Sequence, residues 1–335
     1  TNKNIDRFNY GDYDYDSDSE QNSFSLPMGF SSDSKNFAIR TGKNEVQIWK
    51  IENNKISLLE TIKGKGDLIN DIKFIPNTNK LAIIGVDDTL KLWQLPNKQK
   101  EKPQLLKTFP GHSNLIQSIS FSPNSDLIAS ASYDNTVKLW QPNGSLYKNF
   151  TAHKNKVNSV SFSPNGKLIA SASDDKTVKV WQPDGKVIKN FEEHGNAVTH
   201  VSFSPDNKLI ASASKDNTVK IWNLQSEEVK TLPSDEPVTS ISFSPDGKMI
   251  ATANTKNIKL WSVDGTPLTT YERLGNDSVS FSPNGKSIAA ASYQGIEVWD
   301  FDLDKLIKRG CNWARDYLKN NPNAESNRTL CDDVK

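Results

Sequence analysis

The stretch Val157-Asn-Ser-Val-Ser-Phe162-Ser-Pro-Asn-Gly166-Lys-Leu-Ile-Ala-Ser-Ala-Ser173-Asp-Asp-Lys-Thr-Val-Lys-Val-Trp181 decides the fold. Its first six residues predict a strand. Ser163-Pro-Asn-Gly166 closes it, because Pro presets φ and Asn-Gly tolerates the positive φ of a tight hairpin. Residues 168–173 predict a second strand, whose small Ala and Ser side chains let a neighbouring sheet approach closely. Residues 177–181, β-branched and aromatic, predict a third. A turn at Gln182-Pro-Asp-Gly185 leads into a fourth over 186–191. Apolar residues on both faces fit a sheet sandwiched between two others, and no helical period of 3.6 runs between residues 24 and 300.

The unit recurs along the chain. Seven of the eight tryptophans, at 49, 93, 140, 181, 222, 261 and 299, are spaced by 44, 47, 41, 41, 39 and 38 residues. Each follows a phenylalanine, at 30, 74, 121, 162, 203, 243 and 281, by 19 residues in the first five units and 18 in the last two. Two rare residues held in register seven times define a repeat architecture, here all-β, with four short antiparallel strands in each unit.

These residues resemble the Trp-Asp (WD) repeat family, over about residues 24–300, and the resemblance implies a seven-bladed β-propeller of four-stranded antiparallel blades. The pattern Phe-Ser-Pro-Asn/Asp-Gly-Lys-Leu/Ile-Ile-Ala-Ser-Ala-Ser stands at 162–173, and at 203–214 with Asn207 in the Gly place. Gly111-His112 matches the family's Gly-His start, whereas the naming dipeptide survives only at Trp299-Asp300. The resemblance implies a hydrogen-bonded tetrad in three units: His112, Ser132, Asp134 and Trp140; His153, Ser173, Asp175 and Trp181; His194, Ser214, Asp216 and Trp222. In the second unit Asp87 remains, but Lys65 and Gly85 replace His and Ser, and units 1, 6 and 7 lack the set. The middle blades are therefore expected to be the most rigid. The residue before each tetrad Asp is expected on the rim that WD propellers use for partners: Val86, Tyr133, Asp174, Lys215, Thr255 and Tyr293, with Gly42 at the matching place in unit 1.

The ends complete the domain plan. Residues 1–23 form an acidic arm, residues 24–300 the propeller and residues 301–335 a tail. The seventh unit supplies three strands, so its fourth is expected from the N-terminus, at 5–10 or 13–17. Counting back twelve residues from Phe30 favours the second. Leu303, Leu306, Ile307, Ala314, Tyr317 and Leu318 recur at helical spacing, predicting a helix over 303–319 that packs on the ring through Leu306, Trp313 and Tyr317. This tail, with Cys311 and Cys331, resembles one that closes many bacterial WD-repeat proteins, in which the propeller is often the C-terminal part of a signalling ATPase or Ser/Thr kinase. Whether the two cysteines pair is left open.

The remaining candidates for chemistry are weak. A net charge of +1, from 41 Lys and Arg against 40 Asp and Glu, argues against a global grip on nucleic acid or anionic lipid. Only six of those cations are Arg, so bidentate phosphate recognition is not the theme. No stretch has the run of about 18 apolar residues that a membrane span needs. A polar, acidic start without a secretory signal and only two cysteines point to a reducing, cytoplasmic setting. The tetrad histidines are separated around the ring, so no zinc site is expected. His200 stands where other units have Ser118, Ser159 and Ser240, and reads as a channel-lining residue. The alternating carboxylates of Asp12-Tyr-Asp-Tyr-Asp-Ser-Asp18 lack the Gly and Glu of a calcium loop. No phosphate loop or nucleophile elbow is present. The sequence thus predicts a non-catalytic protein-interaction scaffold without metal or cofactor, the docking or sensor half of a signalling protein. A propeller that binds or hydrolyses a small ligand or glycan is the alternative.

Overall fold

The computed structural model describes residues 5–8, 28–41, 44–52, 55–63, 69–85, 87–96, 101–226, 228–272, 276–292 and 295–300. They form seven antiparallel sheets of four strands, arranged as the blades of a propeller. Blade 4 shows the plan, with its inner strand at Val157–Phe162, followed outward by Ile169–Ser173, Val178–Trp181 and Val187–Phe191. The expected strands and their order hold in blades 1 to 6.

The Ser-Pro turns of blades 4 to 7 are fastened the same way, whereas in blade 3 Ser122 donates to Asp126 at 2.8 Å. In blade 4 the Ser163 hydroxyl accepts the Leu168 amide N–H at 2.9 Å and donates to Asn165 at 2.8 Å. Blades 5 and 6 repeat this with Ser204–Asp206 and Ser244–Asp246. Gly166 adopts φ 70°, and Asn207, in the Gly place of blade 5, adopts φ 64°. Asn tolerates this left-handed region better than other side chains, which explains the exchange.

The core lies between blades. Ala170, Ala172, Val178 and Val180 of blade 4 pack with Val198, Val201, Phe203, Ile210 and Trp222 of blade 5 in one buried cluster. The small second-strand residues make room for the next blade's Phe and Trp, as the sequence suggested. In blades 3 and 4 the last Phe of the outer strand adds an aromatic contact to the following blade: Phe150 stacks on Trp181 at 4.8 Å and Phe191 on Trp222 at 4.5 Å. Polar side chains also cross the seams. Thr199 donates to the Val238 carbonyl at 2.6 Å, Asn158 to Val198 at 2.9 Å and Asn70 to Ile116 at 3.0 Å.

The ring is closed by the N-terminal strand, in a different register from the one that residue counting favours. Ile5–Phe8 pairs antiparallel with Gly295–Asp300, with Ile5 opposite Trp299 and Phe8 opposite Ile296. The segment 13–17 carries two Asp, which are poor strand formers, whereas Ile and Phe begin and end the strand that is used. An offset counted in residues fails because 19 residues separate this strand from the inner strand of blade 1, against six between Phe191 and Val198. The acidic stretch 12–18, the predicted helix over 303–319, Trp313, Cys311 and Cys331 lie outside the described residues.

Candidate functional site

The loops that precede the inner strands and those that follow the second strands meet at one end of the propeller. In blades 3 to 5 they are tied down by one network, built three times. In blade 4 the Trp181 indole N–H donates to Ser171 Oγ at 2.7 Å, and Ser171 lies 2.7 Å from His153 Nε2. His153 Nδ1 lies 2.8 Å from Asp175 Oδ2. Because the indole can only donate, the serine proton is left for Nε2, and His153 donates from Nδ1 to the carboxylate. The same geometry links Trp140, Ser130, His112 and Asp134, and likewise Trp222, Ser212, His194 and Asp216. Ser130, Ser171 and Ser212 are fully buried.

This corrects the expected serines. Ser132, Ser173 and Ser214, two residues further on, do not touch the His or the indole. Ser132 donates to the Asn114 carbonyl at 2.9 Å, and Ser173 to Asn155 and Lys156 at 3.0 and 2.8 Å. Ser214 donates to Ala197 at 2.9 Å. Each also accepts the amide of its Asp, at 3.0–3.1 Å, so these serines fasten the loop itself. The register explains the difference. Trp181 is paired with Ile169 and Lys179 with Ser171, so Ser171 is the diagonal neighbour of the indole, within side-chain reach. Ser173 lies two residues beyond.

A threonine also joins the network. Thr136, Thr177 and Thr218 donate to the second oxygen of their Asp at 2.6, 2.7 and 2.6 Å. The first oxygen also takes the amide after the histidine: Ser113, Lys154 or Gly195. Burial raises the carboxylate pKa, but these hydrogen bonds outweigh it, so Asp134 and Asp175 are held well below the ordinary carboxylate range and Asp216 is lowered to about 2. Burial lowers His153 and His194 below the usual imidazole value against the pull of their Asp partners, consistent with neutral rings.

The other blades differ at the diagonal position. It is Ile83 in blade 2, opposite Lys91, and the buried Trp93 Nε1 has no hydrogen-bond partner among the described residues. Asp87 is held instead by Thr89 at 2.9 Å and by Lys91. In blade 7 the diagonal residue is Ala290, and Trp299 Nε1 is likewise without a partner among the described residues. Blade 6 keeps a reduced version that the sequence reading missed. Trp261 donates to Thr252 at 3.1 Å, while Asn254, in the register place of Ser214, donates at 3.0 Å to Ser234, in the place of His194.

On the rim above, Tyr133 is half-buried, with the Lys156 ammonium 4.6 Å from its ring centroid. Asp174 accepts from Asn158 at 2.7 Å. Burial, and then the Asp174 charge, raise the Tyr133 hydroxyl pKa, so this tyrosine is a neutral hydrogen-bonding group. Tyr133 and Asp174 therefore adjoin across the blade 3–blade 4 seam, whereas Lys215 and Thr255 stand exposed on blades 5 and 6. Val86 and Tyr293, like Gly42 and Lys65, lie outside the described residues. His200 lines the central channel as expected.

Seven radial four-stranded blades with His–Ser–Asp–Trp networks under one rim define a propeller of the WD type. Residues 56–94 and 103–141 match the family model "WD domain, G-beta repeat", and residues 142–312 match "IFT122 first beta-propeller". The chain belongs to the WD-repeat β-propeller family. No curated protein matches it. Propellers of this family are typically non-catalytic scaffolds that bind protein partners.

Proposed function

We propose that the chain is a non-catalytic scaffold whose rim docks a protein or peptide, serving as the docking or sensor module of a cytoplasmic signalling protein, ATPase- or kinase-linked. The carrying observation is the Tyr133–Lys156–Asp174–Asn158 cluster, an amphipathic tyrosine ringed by opposite charges. It stands on loops that the networks of blades 3 and 4 hold rigid. Equivalent positions in the neighbouring blades carry Lys215 and Thr255, so the surface is not repeated around the ring. A non-repeating surface on repeated supports suits one specific partner, and tyrosine is favoured at such contacts because it combines apolar area with a hydroxyl.

The test is capture of a partner by the purified chain, compared with Tyr133→Ala combined with Lys215→Glu. A loss of about 2 kcal/mol or more in affinity with an unchanged melt is the expected result. Capture that survives this change but is abolished by removing residues 12–18 moves the site to the acidic arm. Turnover of a small substrate by the purified chain overturns the non-catalytic reading.

A further inference from the structure

The inner strands line a central cavity of about 390 Å³, in the lower part of the range that small-ligand sites occupy. The residue before the motif Phe lines it in every blade. It is Ser in blades 3 to 7, Lys73 in blade 2 and Gly29 in blade 1. The serine oxygens are partly committed. Ser120 accepts the Phe162 amide of the next blade at 3.0 Å, and Ser242 accepts the Phe281 amide at 3.1 Å. A hydroxyl that accepts from the backbone keeps its proton to donate. The hydroxyls of Ser161, Ser202 and Ser280 reach only the following carbonyl, at 3.3–3.4 Å, beyond the usual range for an O–H donor. The wall therefore offers a belt of hydrogen-bond donors.

Lys73 adds the charge. Its side chain is half-buried, and among the described residues it has no ion-pair partner and no Asp or Glu lines the cavity. Asp71, two residues back on the same strand, is committed to the Ile72 and Ile119 amides at 2.8 and 3.1 Å. Gly29 stands beside the Lys73 backbone in the belt and adds no side chain to the cavity wall. A side chain there would approach the Ile72 carbonyl at 3.2 Å. Across the channel, burial first and the Lys73 charge second push the His200 pKa down to about 3. His200 is thus a neutral ring that senses a positive field.

We infer that the central channel is a binding site for a small tetrahedral oxyanion, inorganic phosphate or the phosphate of a small monoester, held by the Lys73 ammonium and the surrounding serine hydroxyls. A cation set among hydroxyl donors favours an anion over a neutral polyol, because only the anion adds charge-assisted contacts to the ammonium. The site lies below the rim and is independent of the partner-binding reading.

The test is calorimetric titration of the full chain, in phosphate-free buffer, with inorganic phosphate, glucose 6-phosphate and glucose. Both phosphates bind and glucose does not. Tighter binding of glucose 6-phosphate assigns the monoester, and tighter binding of inorganic phosphate assigns the free ion. Lys73→Met weakens either by about tenfold or more, and Lys73→Arg retains it. Binding unchanged in Lys73→Met, or glucose binding as well as the phosphates, overturns the assignment. A second readout needs no variant. A bound dianion offsets the Lys73 field, so the His200 imidazole resonances of the unaltered protein move on phosphate addition. Resonances that stay still at saturation overturn it too.

Discussion

Blades 3 to 5 and blades 2 and 7 share strand order and the position of the buried indole, yet treat the indole N–H oppositely. Ser130, Ser171 and Ser212 satisfy it and pass the connection on through His to Asp. Ile83 and Ala290 leave it without a partner among the described residues. Blade folding therefore does not require the network, since strand pairing and interleaved apolar side chains suffice. The network ties two loops to the sheet behind them. Blades that carry it offer a fixed rim, and the half-buried Tyr133 sits at the seam between two of them.

The largest effect expected lies outside this contrast and bounds it. Removing residues 1–8 strips the partner from Gly295–Asp300 and opens the ring, and the melting temperature falls on the order of 10 °C or more. An unchanged melt shows that closure contributes nothing and that each blade stands on its neighbours alone.

Next comes the contrast itself. Asp175→Ala leaves His153 Nδ1 and the Lys154 amide without their acceptor, at a cost of about 1–3 kcal/mol in denaturant unfolding. Asp87→Ala removes a half-exposed partner of Lys91 and costs less, under about 1 kcal/mol. Equal costs erase the distinction between the blades.

Acid gives the smallest and most selective effect. His153 and His194 have lowered pKa values in the fold, so protonation favours the unfolded chain. Their stabilisation is complete above pH 6.5 and declines as the pH falls below it. Asp216, lowered to about 2, contributes above 3.8 and loses its contribution as the pH approaches 2. Hydrogen-exchange protection, corrected for the intrinsic rate at each pH, is therefore expected to fall in the strands of blades 4 and 5 at pH 5 relative to pH 7.5, with blade 2 unchanged. A uniform fall around the ring defeats the assignment.

The repeat made the fold legible, because Phe and Trp at fixed spacing report both ends of each blade. The tetrad was legible in His, Asp and Trp but not in its serine. In Ser-Ala-Ser both serines face the same side of the strand, and only the pairing register, Ile169 with Trp181, selects Ser171. The threonine had a signal, since Asp-x-Thr recurs at 87–89, 134–136, 175–177 and 216–218. The closing strand was hidden because no repeat governs the connection to blade 1. Blade 6 was hidden because Thr252, Asn254 and Ser234 keep hydrogen bonds while changing every residue type.

The pairing of Ile5 with Trp299 also sets an order of events in synthesis. Within the propeller, the strand made first is needed last. Six blades can form as they emerge from the ribosome, each resting on the one before, while residues 5–8 wait for a partner made at the far end of the chain. Until residues 295–300 appear, the growing protein carries an unpaired β-edge at each terminus of an open arc. The final step is one long-range loop closure, whose entropic cost grows only slowly with length. Completion of the ring thus reports that translation has passed residue 300, and a chain halted before it keeps both edges available to chaperones or to other chains.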